Sequence, residues 1–218
     1  MKIYHVLLCL LFSVSSLSVF GQEDINNESF KFAFVPGKGE AKVIYNGKSH
    51  AFSFLLNGKA IKQPNVNGRS DNMQFFNIDS TVFQSSFVEL PQPIPSGMQL
   101  SHLTDEQERT TLEGYVNYEL NYMRDDLKLT LTDVKKEWKT INSKLFLVWS
   151  FEASKPKDTP ETIKTFSGQI FYSTICFNLV LDLNTPIEKK DRIEPCRALL
   201  DKISGTLTTY NNQLDLKN

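Results

Sequence analysis

One short run of this sequence would be apolar on both faces of a strand for most of its length. In an extended strand, successive side chains point to opposite faces of the sheet, so a strand with one wet face alternates between apolar and polar residues. The run from Leu145 to Phe151 does not alternate, and it predicts a central strand covered on two sides within a layered domain. Its first face carries Leu145, Leu147, Trp149 and Phe151, and its second carries Phe146 and Val148.

The N-terminal half of the chain has the pattern of antiparallel strands. Phe30, Phe32 and Phe34 are two residues apart, which places three rings on one face of a strand. Asn46-Gly47 predicts a hairpin, because both residue types tolerate a positive φ. The predicted strands, with approximate bounds, are 30–34, 41–45, 48–56, 73–78, 81–90, 134–141 and 145–151.

Two segments have helical periodicity. Thr104 and Gln107 have the spacing of a capping box, which predicts the start of a first helix that ends near Lys128. A second helix is predicted from about Pro195, because proline is favoured in a first helical turn. Their apolar stripes are Leu112, Val116, Leu120, Met123 and Leu127, and then Cys196, Leu199, Leu200, Ile203 and Leu207.

The order of elements is strands, helix, strands, helix, which indicates the α+β class. We expect an antiparallel β-sheet flanked by two main helices, an α/β/α sandwich. Residues 170–183 are rich in β-prone side chains and predict one bent strand, or two strands that meet near Asn178. Thr185-Pro186 is expected to end this stretch, and the polar tail 211–218 is expected to fray.

Charge is almost balanced along the chain. The 218 residues carry 24 Lys+Arg and 25 Asp+Glu, which argues against binding to nucleic acid or to anionic lipid. The charge run Lys135-Lys136-Glu137, with Lys139, is interpreted as the exposed side of an edge strand, where lysine blocks further strand pairing.

The first 21 residues have the layout of a secretory signal peptide. Lys2 gives the positive start, an apolar run follows from Val6 to Phe12, and small residues precede a predicted cut before Gln22. The apolar run is too short to span a bilayer, which needs about 20 residues. We therefore expect a signal peptide at 1–21, a single α+β domain at 22–218, and no transmembrane segment in the mature protein.

The sequence contains no recognisable catalytic, cofactor or metal motif. His50 and His102 are far apart and lie outside any metal-ligand spacing, and there is no nucleophile elbow. Asp125-Asp126 is interpreted as a solvated helix end rather than an acid/base pair. Cys176 and Cys196 have two open interpretations, a disulfide where the last helix meets the sheet, or two separate buried thiols.

The second half of the chain runs from a helix through paired strands to a closing helix. These elements are Leu112–Leu127, Lys144–Ser150, Gln169–Thr174 and Leu200–Leu207, with Phe32–Pro36 as an opening strand. From Leu112 to Tyr210 this pattern resembles the PsbP/Mog/DcrB group of small α/β/α sandwich proteins. The resemblance implies a protein that docks onto protein assemblies, or that resides in the periplasm without an assigned reaction. The group has no shared catalytic residues, so none is carried over to this chain.

These observations lead to a functional expectation. We expect an exported, non-enzymatic protein, periplasmic or extracellular in a bacterium, that needs no cofactor and binds an unknown protein partner. The alternative is a carrier of a small apolar or amphiphilic ligand, because the chain has 16 phenylalanines and rings at period two can line a cleft as well as fill a core. An enzyme whose site is assembled from scattered polar residues stays open as a third hypothesis.

Overall fold

Antiparallel strands dominate the structure, a computed structural model that describes residues 29–64, 72–90, 103–154 and 168–215. The signal peptide predicted at 1–21 lies outside these residues. The described part of the chain forms two antiparallel sheets and two α-helices. The larger sheet has seven strands, in the order β4 (Ile61–Lys62), β5 (Met73–Ile78), β6 (Thr81–Glu89), β10 (Leu179–Ile187), β9 (Gly168–Cys176), β8 (Lys144–Ser154) and β7 (Thr130–Ile141).

Strand β8 confirms the prediction of a strand covered on two sides. Leu147, Trp149 and Phe151 join the apolar cluster beneath the first helix, α1 (Asp105–Asp125). Phe146 and Val148 join the cluster on the other face, together with the second helix, α2 (Ile193–Ser204). The two helices therefore lie on opposite faces of the seven-stranded sheet.

A second sheet corrects the predicted sandwich. It has four strands, in the order β1 (Lys31–Pro36), β2 (Glu40–Asn46), β3 (Ala51–Asn57) and β11 (Thr208–Tyr210). Its buried rings share one cluster with α2 and with the inner face of the seven-stranded sheet. The α+β class and the antiparallel pairing hold, but one face of the larger sheet is covered by a sheet and a helix together. The reason is that the N-terminal strands pair with one another and with β11 rather than with β4–β10.

Local boundaries agree with two predictions and correct a third. Of the two alternatives for residues 170–183, the structure has two strands, joined by a turn at Phe177, whose φ is 59°. Thr185-Pro186 does not end β10, because pairing with β6 already stops at Asn184 and the missing N–H of Pro186 interrupts no bond to that strand. Asn46-Gly47 does begin a hairpin loop, but the loop spans residues 47–50 and is closed by the Gly47 N–H, which donates to the His50 carbonyl at 2.8 Å.

Both helices begin and end for local reasons. Thr104 and Gln107 form the predicted capping box. The helix α1 ends at Asp125, not near Lys128, because Lys128 has a φ of 54° and the Leu129 N–H turns back to the Met123 carbonyl. Helix α2 begins two residues before Pro195, after a short 3-10 turn at Lys190–Arg192. Neither helix in the described part of the chain is long and apolar enough to cross a membrane.

The polar tail is attached as far as the described residues extend. The Asn46 side chain donates to the Leu214 carbonyl at 2.8 Å and accepts from the Leu214 N–H at 2.9 Å. The sequence predicts that residues 211–218 fray, and at Leu214 that prediction is wrong. The buried side-chain amide of Asn46 bonds both the N–H and the carbonyl of Leu214.

We expect Asn46→Ala to release this tail and to lower the free energy of unfolding by about 1–2 kcal/mol, since two hydrogen bonds are lost. Amide exchange at Leu214 and a urea titration measure the two effects. Asn46→Asp is the matched variant, because it keeps the acceptor but turns an oxygen toward the Leu214 carbonyl, so it should release the tail at least as strongly as Asn46→Ala. Unchanged exchange at Leu214 in Asn46→Ala would contradict the assignment.

Candidate functional site

A groove of about 550 Å³ lies between the edge strand β7 and α2, and we call it the β7–α2 groove. Side chains two apart on a strand share a face, and so do side chains three and four apart on a helix. Both walls therefore present regular rows of charge. The strand gives Lys135, Glu137 and Lys139, the helix gives Ile193, Glu194, Arg197, Ala198 and Asp201, and Tyr172 of β9 completes the lining.

Two ion pairs join the walls of the groove. Lys139 Nζ lies 2.5 Å from Asp201 Oδ1. The Arg197 guanidinium donates to the Glu137 carboxylate. Burial by itself lowers the pKa of Arg197, but the hydrogen bond and ion pair with Glu137 outweigh it and raise that pKa. The third basic side chain, Lys135, bonds within its own strand, 2.9 Å from Asp133 Oδ2, at the point where the register of β7 is irregular.

Tyr172 anchors the end of the groove where Lys139 and Asp201 meet. Its hydroxyl donates to Asp201 Oδ1 at 2.8 Å, and Lys139 Nζ lies 5.9 Å from the centre of its ring. Burial, then the bond to Asp201 and its negative charge, raise the pKa of Tyr172, so the phenol stays protonated at neutral pH. Asp201 therefore accepts from a cation and from a phenol at once, which fixes this end of the groove more firmly than the end at Lys135.

A second polar cluster is buried on the opposite face of the sheet, beneath α1. The Tyr115 hydroxyl donates to one oxygen of the Asp182 carboxylate, and the Ser173 hydroxyl donates to the other. Trp149 Nε1 donates to Ser173 Oγ at 2.8 Å. We call these four residues the Asp182 network, and Asp182 itself is 5% exposed.

Two carboxyls at this network have raised pKa values. Burial raises the pKa of Asp182 to about 6, although the bonds from Ser173 and Tyr115 oppose the shift. Burial, and then the negative charge of Asp182, raise the pKa of Glu119 to about 7. Neither residue was predicted from the sequence. For Asp182 a signal was available, because it is an acidic residue inside the apolar stretch 179–183. A charge at such a position needs hydrogen-bond partners from another element.

Of the residues weighed from the sequence, Lys135 and Lys139 line the groove, while the acidic pair and the cysteines lie outside both the groove and the Asp182 network. Asp125-Asp126 is exposed at the end of α1, as interpreted. Cys176 and Cys196 are buried free thiols, so of the two open interpretations the structure has the unbridged one. Burial raises the pKa of Cys176 to about 11. No group of three metal-ligating side chains occurs in the described ranges, and His102 lies outside them.

The rings of the N-terminal half lie between the two sheets, and we call them the aromatic core. Phe52 is fully buried, with its ring 4.8 Å from that of Tyr45 and 5.6 Å from that of Phe30. Tyr45 is buried too, and its hydroxyl lies 2.7 Å from Ser85 Oγ. The rings contact one another across the sheets, as expected of a core. The members are Phe30, Phe32, Phe34, Tyr45, Phe52, Phe54, Phe76, Phe83 and Phe87.

Comparison with known proteins gives a likeness of fold. Models of protein families and curated proteins gave no match. The solution structure of cyanobacterial PsbP (CyanoP) from Synechocystis sp. PCC 6803 is similar at 13% identity and a TM-score of 0.47, covering 90% of this chain and 100% of that one. A crystal structure from Bacteroides thetaiotaomicron is similar at 10% identity and a TM-score of 0.32, covering 78% of this chain and 50% of that one. The weak PsbP-like resemblance stated from the sequence is confirmed, and it carries no information on activity.

Proposed function

We propose that this chain is an exported, non-enzymatic protein that binds another protein through the β7–α2 groove. The observation that carries the proposal is the groove itself, with its two rows of facing charges. Six of the nine lining residues are charged, three of each sign. Pockets for small ligands are mostly apolar with a few polar groups, so this lining suits a polar protein segment better.

The Lys139–Asp201 ion pair of the groove is exposed enough to be exchanged for pairs with a partner. The Lys139 and Asp201 side chains are 39% and 38% exposed, and exposed pairs contribute only about 0–1 kcal/mol. Exchanging this internal ion pair for contacts with a partner therefore costs the fold little free energy. The facing rows of charge would then select a partner with complementary charges and fix its register in the groove.

Lys135 is the point where a partner can add a contact without breaking a bond across the groove. Its side chain is 64% exposed, and its carboxylate partner, Asp133, belongs to the same strand. We therefore infer that the bound segment places a carboxylate at Lys135 and carries both signs of charge along its length. The lysines of β7 disfavour a partner that simply extends the sheet, because edge lysines oppose strand addition.

A charge swap tests this function. In the double variant Glu137→Arg with Arg197→Glu the ion pair is kept and its direction is reversed, so folding should be little changed while complementarity is lost. A photo-crosslinking residue at Ala198 in the native host should capture one protein, and the same residue at Tyr118, 53% exposed on α1, should not. With that protein purified, we expect the swap to weaken binding by at least about tenfold, which corresponds to 1.4 kcal/mol.

Three outcomes would overturn the proposal. In the first, the charge-swap variant binds the captured partner as tightly as the native chain does. In the second, a crosslinking residue at Tyr118 captures the same partner equally well. In the third, this chain itself is found to turn over a substrate. The carrier alternative stays a prediction. A ligand held by the aromatic core would have to displace rings that already contact one another, whereas the groove is accessible as it stands.

A further inference from the structure

The middle of α1 is attached to the sheet through one buried carboxylate. Asp182 of β10 accepts from Tyr115 of α1 and from Ser173 of β9, and Ser173 in turn accepts from Trp149 of β8. This network therefore links the helix to three neighbouring strands. A separate, exposed bond runs from Lys136 of β7 to Asn117 of α1. The buried remainder of the contact beneath α1 is apolar, from Leu112, Val116, Leu120 and Met123.

A second carboxyl, on the same side of α1 as Tyr115, is influenced by the charge of the first. Glu119 follows Tyr115 by four residues, so both are on the side of α1 that meets Asp182. The charge of Asp182 acts on Glu119, and the charge on each disfavours ionisation of the other. Two carboxylates that share a half-buried site resist being ionised together, and the loss or gain of one proton changes the energy of the contact.

The hydrogen bonds of this pair go to Asp182, from Tyr115 and Ser173. Ser173 of β9 and Ser86 of β6 are its register partners on the two neighbouring strands. On β7, Lys136 donates to Asn117 Oδ1 at 2.6 Å, and its pKa responds to burial first and then to Glu113 and Arg124. Lys136, the cation on the neighbouring strand, therefore bonds to a side chain of α1 outside the carboxyl pair.

We propose that α1 is a pH-sensitive latch, in which uptake of a proton by the pair Asp182 and Glu119 tightens the helix against the sheet and loss of that proton loosens it. The inference does not depend on the proposed function, because the network and the β7–α2 groove lie on opposite faces of the sheet.

The direction of the effect follows from the raised pKa values. The ordinary values are 3.8 for Asp and 4.5 for Glu, and the folded values are about 6 and about 7. A group that binds its proton more tightly in the folded state contributes stability below its unfolded pKa, and that contribution is lost as the pH rises through its folded pKa. The latch is therefore tight at pH 5, loosens progressively between about pH 5 and 8, and is loosest at pH 8.

A loosened latch uncovers apolar surface. Beneath α1 the Trp149 and Phe171 rings are stacked, with centroids 4.0 Å apart and planes at 8°, and Phe151 lies beside them. Aromatic surface of this kind favours contact with other apolar groups. The latch would therefore make the exposure of these rings depend on pH. The indole of Trp149 also provides a reporter, since it is both stacked and hydrogen-bonded within the network.

Hydrogen exchange over residues 112–123 at pH 5 to 8, corrected for intrinsic rates, tests the latch in the full-length chain. We expect protection to fall with rising pH by up to about tenfold per unit, the limit for one proton. Glu119→Gln should flatten this dependence. Glu113→Gln removes an exposed carboxyl from the same helix and should leave it unchanged.

Trp149 fluorescence gives a second readout in a Trp138→Phe background. Its emission should shift to longer wavelength between pH 5 and 8, and Glu119→Gln should remove the shift. Asp182→Asn should do the same if it folds, and Glu119→Gln keeps the test intact if it does not. The proposal is overturned if exchange and emission in the native chain do not change with pH, or if the change is the same in Glu119→Gln.

Discussion

Phe52→Ala lowers the free energy of unfolding by about 3–5 kcal/mol, the usual cost of removing a buried ring whose neighbours cannot fill the cavity. Phe52 is fully buried and contacts the rings of Phe30, Tyr45 and Phe87, which come from both sheets. Its loss therefore weakens the contact between the sheets and not only one strand. Urea unfolding followed by circular dichroism measures the change.

Phe34→Ala is the matched control for this prediction. Phe34 belongs to the same aromatic core but is only partly buried, and its ring is 5.7 Å from that of Phe76. We expect a loss of less than half that of Phe52→Ala, because part of the ring is already in water. Equal losses would show that the sheets are held together elsewhere.

Gly168→Ala destabilises the protein by about 1–3 kcal/mol, the range for adding a methyl group to a tightly packed site. A Cβ at this position of β9 would lie 2.7 Å from the carbonyl oxygen of Phe151. That oxygen belongs to the backbone of β8, so the clash cannot be relieved by rotating a side chain.

Gly114→Ala should have the opposite sign. Nothing lies within 4 Å of the added Cβ on the exposed face of α1, and alanine is favoured over glycine in a helix by about 0.5–1 kcal/mol. Thermal unfolding of the two variants side by side measures the difference. A stabilised Gly168→Ala would contradict the close approach of the two strands.

The residues of the candidate site were not equally predictable. The charged row of β7 was visible in the sequence and was assigned correctly to an edge strand, since alternation and lysine content are local properties. Its opposite wall was not predictable, because Arg197 and Asp201 meet Glu137 and Lys139 only when α2 packs beside β7. The Asp182 network was missed for the same reason, as its partners lie between 9 and 67 residues away along the chain.

The sequence by itself determined the elements of this protein. Period-two rings, a strand apolar on both faces and a capping box each act over a few residues, and they placed most of the strands and both helices. Only the tertiary structure decided that the N-terminal strands form a separate sheet with β11. That choice depends on which backbone edges remain unpaired after the other strands have paired, and on how the rings of two sheets fit together. Hairpin partners such as β2 and β3 can be predicted from the turn between them, whereas pairing between strands that are distant in sequence, such as β3 with β11, depends on long-range contacts that no local pattern encodes.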